Sequence, residues 1–465
     1  MELLCENKSQ YSSTFTGFHE KVGSMLNIYF RDQLTRAREE ITVYPDNTIG
    51  EYVPAAMAGF MLRFPPDWYE ISLGGRRIDA RQKVRNIPLR AKQTIDLVLK
   101  PTIRTPLEKA VTILSGATGG KLVFFLGNGI SADAFGGKLS TDMIHYDYLR
   151  TLASEQPRTF EEKLGHVQEL LTAMKDREGQ HNMLSFMKLF GSVADLRTGF
   201  VAHVIRTCCL ADPNEGHIAL LDFLEMLRST NPKLDIIVFT TNYDNLLEKT
   251  ARKLKAWTLK PEYVTEVSKV RGGRLQVIPL HGSIRISRCP GCGSVLQTQA
   301  AALGERLCVY CGTNIPNIIL PTAEGDISKR ALQAFESHIR DAKVLFSVGY
   351  GFKDPHIKDS IIRNKSDEIL MICASRSVSD VTSKELGVDA LLAEDIPLSL
   401  KYLAARLDIG RYLDFQLQKE MESEGFPFRR FYRTQRLLGK QLRIISPLLF
   451  GGMTRPLKRT SGRRR

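Results

Sequence analysis

A chain of 465 residues is longer than one hydrophobic core ordinarily organises, and its 43% apolar content is that of a globular protein, which excludes a disordered or fibrous polymer. No apolar run approaches the roughly 18 residues needed to cross a bilayer, and Met1-Glu2-Leu3-Leu4-Cys5-Glu6-Asn7 lacks the basic flank of a secretory signal, so a cytoplasmic protein with no membrane partner is expected. The formal charge of +14 is not spread evenly: twelve Lys and Arg and no Asp or Glu lie from Gly425 onward, leaving 53 basic against 51 acidic residues elsewhere.

Residues 1–24 are Ser- and Thr-rich and weakly patterned, as a flexible N-terminus would be. Met25–Phe30 and Glu40–Tyr44 then read as strands, a helix is expected from Thr48 towards Met61, and Trp68–Leu73 reads as a third strand ended by Gly74-Gly75. After a short fourth strand, Thr94–Leu99 is the last, stopped by Pro101. This order is that of a β-grasp domain, and Ile71–Asp79 followed by Thr94–Leu99 resembles ubiquitin over residues 25–101. Ubiquitin ends in a free Gly-Gly, whereas Lys100-Pro101 runs straight on, so the resemblance implies a docking or allosteric module for a protein partner and not a conjugation substrate.

Helical spacing at Leu107–Ser115 gives way to the continuous apolar run Lys121–Leu126, as expected of a strand buried on both faces. Similar runs recur at 234–239, 275–280, 342–348 and 369–373, with helical patterns at 197–209, 218–228, 245–254 and 328–340. Strands alternating with helices predict an α/β fold, a doubly wound parallel sheet of Rossmann-like type.

Ligands of such sheets bind at the carboxyl ends of the strands. The first run ends in Gly127-Asn128-Gly129-Ile130-Ser131, where glycine permits positive φ and close backbone approach to a pyrophosphate. The second ends in Thr240-Thr241-Asn242-Tyr243-Asp244, residues that also cap helices. The third ends in His281-Gly282-Ser283, and the fourth in Gly349-Tyr350-Gly351-Phe352-Lys353-Asp354-Pro355-His356.

Cys289/Cys292 and Cys308/Cys311, fifteen residues apart, have the spacing of a four-thiolate zinc ribbon, placed at 286–315. Gly293 and Gly312 follow the pairs and suit tight knuckles. Four thiolates complete a tetrahedral shell, so the Zn2+ is expected to be structural. Cys5, Cys208, Cys209 and Cys373 follow no ligand spacing and read as ordinary thiols.

Taken in order, Gly-x-Gly-Ile-Ser, Thr-x-Asn-x-Asp, His-Gly, paired Cys-x-x-Cys and Gly-x-Gly resemble the sirtuin-like enzymes over residues 118–380, with the whole domain spanning 105–395. The resemblance implies NAD+ as substrate. Gly127, Gly129, Ile130 and Ser131 would line its phosphates and ribose, and Asn242 and Asp244 would order the nicotinamide ribose and carboxamide. His281 would act as general base, with Asn242 its catalytic companion, and Gly349 and Gly351 would lie on the adenosine side. The Gly-Ile-Pro-Asp-Phe-Arg segment of deacylating sirtuins is replaced by Ala134–Asp142, and Ile318–Thr322 looks more like the divergent bacterial branch whose members hydrolyse NAD+. The zinc ribbon argues for a deacylase instead. The balance favours an NAD+ hydrolase, with an NAD-dependent protein deacylase as the alternative and a non-catalytic NAD or ADP-ribose sensor as a third reading. Residues 396–450 are expected to form a helical region, in which Phe428–Arg443 interleaves Arg with aromatic side chains. With the basic tail 451–465, it could make weak, unspecific nucleic-acid contacts.

Overall fold

The computed structural model describes residues 25–60, 64–135, 148, 150–155, 158, 161, 165, 194–253, 257–264, 274–281, 283–284, 286–289, 291–292, 295–297, 306–308, 310–315, 326–352 and 354–423. The expectations for 1–24, 136–142, 318–322 and everything beyond 423, the aromatic-basic stretch and the tail included, fall outside these residues.

The N-terminal unit is a five-stranded sheet of β1 (Leu26–Asp32), β2 (Arg38–Val43), β3 (Tyr69–Leu73), β4 (Arg76–Ile78) and β5 (Thr94–Leu99), in the order β2-β1-β5-β3-β4. The central β1–β5 pair is parallel and the others antiparallel. Alternation builds one buried face: Ile28 and Phe30 on β1, and Ile95, Leu97 and Leu99 on β5, point into the core. The helix expected from Thr48 is shorter than its pattern. A 3₁₀ turn at Ile49–Tyr52 leads into α1 (Val53–Ala58), which stops at Gly59.

Pro101 does more than end β5. It opens α2 (Pro101–Gly116), since proline's fixed φ and missing N–H suit the first helical position. Ile103, Leu107, Ala110 and Leu114 then recur at helical spacing on its buried side, despite Pro106 within it.

The second sheet is parallel throughout and doubly wound. It comprises β6 (Lys121–Leu126), β7 (Asp235–Thr240), β8 (Lys260–Tyr263), β9 (Arg274–Pro279), β14 (Val344–Val348), β15 (Leu370–Ala374) and β16 (Ala390–Leu392), in the order β16-β15-β14-β6-β7-β9-β8. The central strand β6 is apolar throughout because both faces are covered. Leu122, Phe124 and Leu126 enter one core with α4 (Glu215–Thr230) and α9 (Ile396–Leu407). Val123 and Phe125 enter the other with α6 (Asp326–Arg340) and α7 (Pro355–Asn364). Phe124 packs between Phe223 of α4 and Phe346 of β14, at ring-centroid distances of 6.1 and 5.2 Å.

The first of these cores runs without a break into the N-terminal sheet. Tyr402 of α9 lies against Phe64, centroids 6.0 Å apart, and its hydroxyl donates to Glu108 of α2 at 2.5 Å, while Arg406 reaches the same carboxylate at 2.9 Å. The last helix, α10 (Ile409–Ser423), is pinned to α4 by Lys419, whose ammonium lies 2.6 Å from the buried carboxylate of Asp222. Trp257 Nε1 donates to that carboxylate at 2.8 Å, so the buried charge is satisfied from two sides. No helix among the described residues is long and apolar enough to cross a membrane.

Candidate functional site

Strand register puts the sequence-predicted segments together. Val348 of β14 pairs with Leu126 of β6, Leu126 with Thr240 of β7, and Thr240 with Pro279 of β9. Four neighbouring strands therefore finish level, and the segments beginning at Gly349, Gly127, Thr241 and Leu280 leave the sheet side by side. Leu126 and Pro279 lie two strands apart, about 10 Å. Thr241 N–H donates to the Leu126 carbonyl at 3.1 Å and Leu280 N–H to that of Thr240 at 2.8 Å, carrying the alignment past the strand ends.

The two glycine segments are packed backbone to backbone. Gly127 N–H donates to Val348 and Gly129 N–H to Gly349, at 2.9 and 2.7 Å. A β carbon on Gly127 would meet Tyr350 at 2.6 Å, and one on Gly129 would meet the Gly349 carbonyl at 2.8 Å. Neither Gly127 nor Gly129 has a positive φ, so of the two freedoms glycine offers, close approach is the one these positions use. Gly349 has both demands, with φ at +68° and a would-be β carbon 2.4 Å from the amide nitrogen of Ile130. Gly351 follows two residues later in the same segment. Gly349→Ala should therefore lower stability by about 2 kcal/mol or more and separate the two segments, which chemical denaturation and nicotinamide-release assays would read together.

Ser131 is the polar centre of the arrangement. Its buried Oγ lies 2.9 Å from Asp244 Oδ2, 3.1 Å from His217 Nε2, and accepts from Asn242 Nδ2 at 3.1 Å. Asn242 Nδ2 also donates to the Gly127 carbonyl at 3.2 Å, which fixes the amide's orientation. Asn242 Oδ1 is buried and has no protein partner among the described residues. Asp244 divides its two oxygens, Oδ1 capping α5 (Leu246–Lys253) through the Leu246 amide at 3.0 Å and Oδ2 facing Ser131.

His217 was not anticipated. It lies in the first turn of α4, behind the cap Asn214, whose Nδ2 donates to the Ile130 carbonyl at 2.9 Å and whose Oδ1 accepts the His217 amide at 3.2 Å. That orientation leaves Oδ1 2.6 Å from His217 Nδ1, which also lies 3.4 Å from the Asn214 amide nitrogen. Burial pushes the imidazole down to about 4 against the pull of the Asp244 carboxylate, so the ring beside Ser131 is uncharged at neutral pH. The signal in the sequence was the cap pattern of Asn214 followed by a histidine three residues on, in an otherwise apolar helix face.

His281, directly after β9, is about three-quarters buried, and its Nε2 lies 3.2 Å from Asp354 Oδ2. Asp354 is the cap of α7, with its side chain accepting the His356 amide at 3.0 Å. Burial alone would raise its carboxyl, but the bond and charge of His281, with the His356 amide, outweigh burial and hold it below the ordinary carboxylate range. The Asp-Pro pair announced a helix start in the sequence, but nothing in the spacing said that the cap would reach a histidine 73 positions earlier.

The four cysteines converge away from this cluster. Their sulfurs all lie within 4.8 Å of one another, with Cys289 and Cys311 at 3.4 Å and Cys292 and Cys308 at 3.6 Å. An ion with metal–sulfur bonds of about 2.3 Å needs sulfurs about 3.8 Å apart, so the set fits tetrahedral zinc. β10 (Ile286–Arg288) pairs with β11 (Val295–Gln297), and β12 (Arg306–Leu307) with β13 (Asn314–Ile315), to carry the two knuckles. Gly312, at φ +71°, makes the second knuckle, while Gly293 lies outside the described residues. Hydrogen bonds from the Thr313 hydroxyl and amide pull the Cys311 thiol down to about 6, towards the thiolate a metal requires.

Residues 236–370 match the family model described as a SIR2-like domain. That stretch of the chain is thus similar to a SIR2-like domain. The matched range holds Asn242, Asp244, His281, the four cysteines, Gly349 and Asp354, while Gly127 to Ser131 are joined to it by the register and bonds above. Among solved structures, the chain is similar to a mutant Sir2 homologue in complex with ADP ribose, at 19% identity and TM-score 0.41 over 66% of this chain and 98% of that one. It is also similar to a Sir2 homologue–NAD complex, at 18% identity and TM-score 0.38 over 65% and 94%. No curated protein sequence matches the chain.

Proposed function

We propose that the four level strand ends bind NAD+ and that the chain hydrolyses its nicotinamide–ribose bond. The observation that carries this reading is Asn242. Its amide is locked by Gly127 and Ser131, and its buried Oδ1 is left without a protein partner among the described residues, free to pair with a ligand donor such as a carboxamide N–H or a ribose hydroxyl. Gly127, Gly129, Ile130 and Ser131 would face the phosphates and adjoining ribose, Gly349 and Gly351 the adenosine side, and Asp244 the nicotinamide ribose.

In this mechanism the carbon–nitrogen bond to nicotinamide breaks with its electron pair leaving on the ring nitrogen, and positive charge develops on the ribose. Asn242 orients the departing group and the sugar. Asp244, held by the Leu246 amide and Ser131, supplies negative charge close by. His281 accepts a proton from a ribose hydroxyl or from the water that adds to the anomeric carbon, yielding nicotinamide and ADP-ribose. Replacement of the deacylase Gly-Ile-Pro-Asp-Phe-Arg segment by Ala134–Asp142 favours water as acceptor. The cysteine set favours the second reading, an NAD-dependent deacylase. Zinc held by Cys289, Cys292, Cys308 and Cys311 would in either case tie down the lobe that follows His281, with no coordination site left for chemistry.

Residues 25–101 are read as a ubiquitin-like β-grasp module, supported by the strand order β2-β1-β5-β3-β4, and as the place where a protein partner would act. Their continuous core with α2 and α9 makes the module a fixed part of the enzyme instead of a tethered one.

Incubation with NAD+, with and without an acetylated peptide, tests the reaction. Release of nicotinamide and free ADP-ribose without peptide is expected. Strict dependence on peptide, with O-acyl-ADP-ribose as product, would replace hydrolysis by deacylation.

A further inference from the structure

We propose that Asp354 is the positioning residue of His281, fixing the imidazole with its proton on Nε2 and leaving the Nδ1 lone pair for the reacting hydroxyl or water. This rests on the reading of His281 as the general base.

A capping aspartate needs only one oxygen for its helix. Oδ1 of Asp354 fulfils that role by accepting the His356 amide at 3.0 Å. The second oxygen reaches out of α7 to another strand's end and meets His281 Nε2 at 3.2 Å. A carboxylate can only accept, so the nitrogen facing it carries the hydrogen. Nδ1 makes no hydrogen bond to any described residue, and it is the nitrogen left for chemistry.

The chain goes to some length to place this carboxylate. Between β14 and α7 the backbone turns through the left-handed region twice, at Gly349 with φ +68° and at Phe352 with φ +54°. A bulky side chain is disfavoured in that region because its β carbon crowds the backbone. Phe352 is held there by burial at 4% exposure, edge-on to Tyr350 at 5.0 Å, with Tyr350 in turn edge-on to Phe125 of β6 at 4.6 Å. The strained segment is thus clamped to the central strand of the sheet, and its product is the position of Asp354. Strain concentrated beside a charged pair at strand ends fits a positioning role better than helix capping alone, which any Asp-Pro turn provides.

The test uses the full chain and compares Asp354→Asn, Asp354→Ser and His281→Ala. Serine and asparagine both cap helices well, so α7 and the melting temperature should be retained. Serine cannot reach the ring, and the asparagine amide can turn a hydrogen towards Nε2 and impose the opposite tautomer. Both variants should lose about 100-fold or more in kcat for nicotinamide release, with KM for NAD+ changed only a few-fold. Nitrogen-15 spectra of the histidines should show the His281 proton on Nε2 in the parent and on Nδ1 in Asp354→Asn. If His281→Ala is inactive while Asp354→Ser keeps kcat within twofold of the parent, Asp354 is only a cap and the proposal falls. If His281→Ala itself turns over NAD+ at the parental rate, the fault lies in the underlying reading of the base.

Discussion

His281→Ala should reduce nicotinamide release by at least about 100-fold, and up to about 10⁴-fold, while leaving the fold intact. The size of the effect follows from the task. The ring is the only imidazole paired with a carboxylate at these strand ends among the described residues. His217 is nearby in the network, but it is fully enclosed and its two nitrogens are occupied by Asn214 and Ser131. Stability should change little, because His281 is partly exposed and Asp354 keeps its bond to the His356 amide when the ring is removed. The companion change Asn242→Ala should cost about 10²–10³-fold, since it removes the orienting Oδ1 and opens a gap beside Gly127 and Ser131. Nicotinamide release at saturating NAD+, with melting temperatures measured in parallel, checks both. Full turnover by both variants would remove the catalytic assignment and leave a pocket that binds without reacting.

Much of this was legible in the sequence because the signals were local. Lys121–Leu126 could only be a strand covered on two faces, and the polar residues after each buried run marked strand ends before any register was known. The cysteine spacing specified its cluster outright. What escaped reading depended on contacts distant in sequence or on the competition between local rules. Pro101 looked like a strand stop, yet a proline at the first helical position costs a helix nothing, and the apolar spacing from Ile103 to Leu114 prevailed even over Pro106 in the helix interior. β8 and β16 are short edge strands of four and three residues, with too few positions to show a period. Gly127 and Gly129 announced themselves as glycines, but their reason is the backbone of another segment some 220 residues later, and sequence spacing cannot distinguish close approach from a left-handed turn. Asn214 and Asp354 are helix caps, and His217 is the third residue of the helix that Asn214 caps. Their further bonds to Ser131 and His281 arise from the sheet order β14-β6-β7-β9, a property of the whole fold.

Removal of the metal should abolish the small lobe altogether, the second large effect expected of this chain. The two hairpins that carry the cysteines have strands of three and two residues, far below what stands alone in water. Among the described residues, the buried apolar cluster of the lobe is Cys289 and Cys308 themselves. Four thiols brought within 4.8 Å, with one already drawn towards its thiolate by Thr313, are instead a structure whose folding free energy comes from binding an ion, apparent values for such sites being about 10–16 kcal/mol at neutral pH. Purified protein should accordingly contain about one zinc per chain. Cys289→Ser should lose the metal and expose the segment from β10 to β13 to proteolysis, while the N-terminal sheet and the parallel sheet, which share one core and have a second on the far face of the parallel sheet, stay folded. Because β10 begins only five residues beyond His281, turnover should fall on chelation and recover when zinc is restored under reducing conditions. Protein that contains no zinc and resists protease equally with Cys289 or Ser at that position would show that the cysteines hold the lobe without a metal.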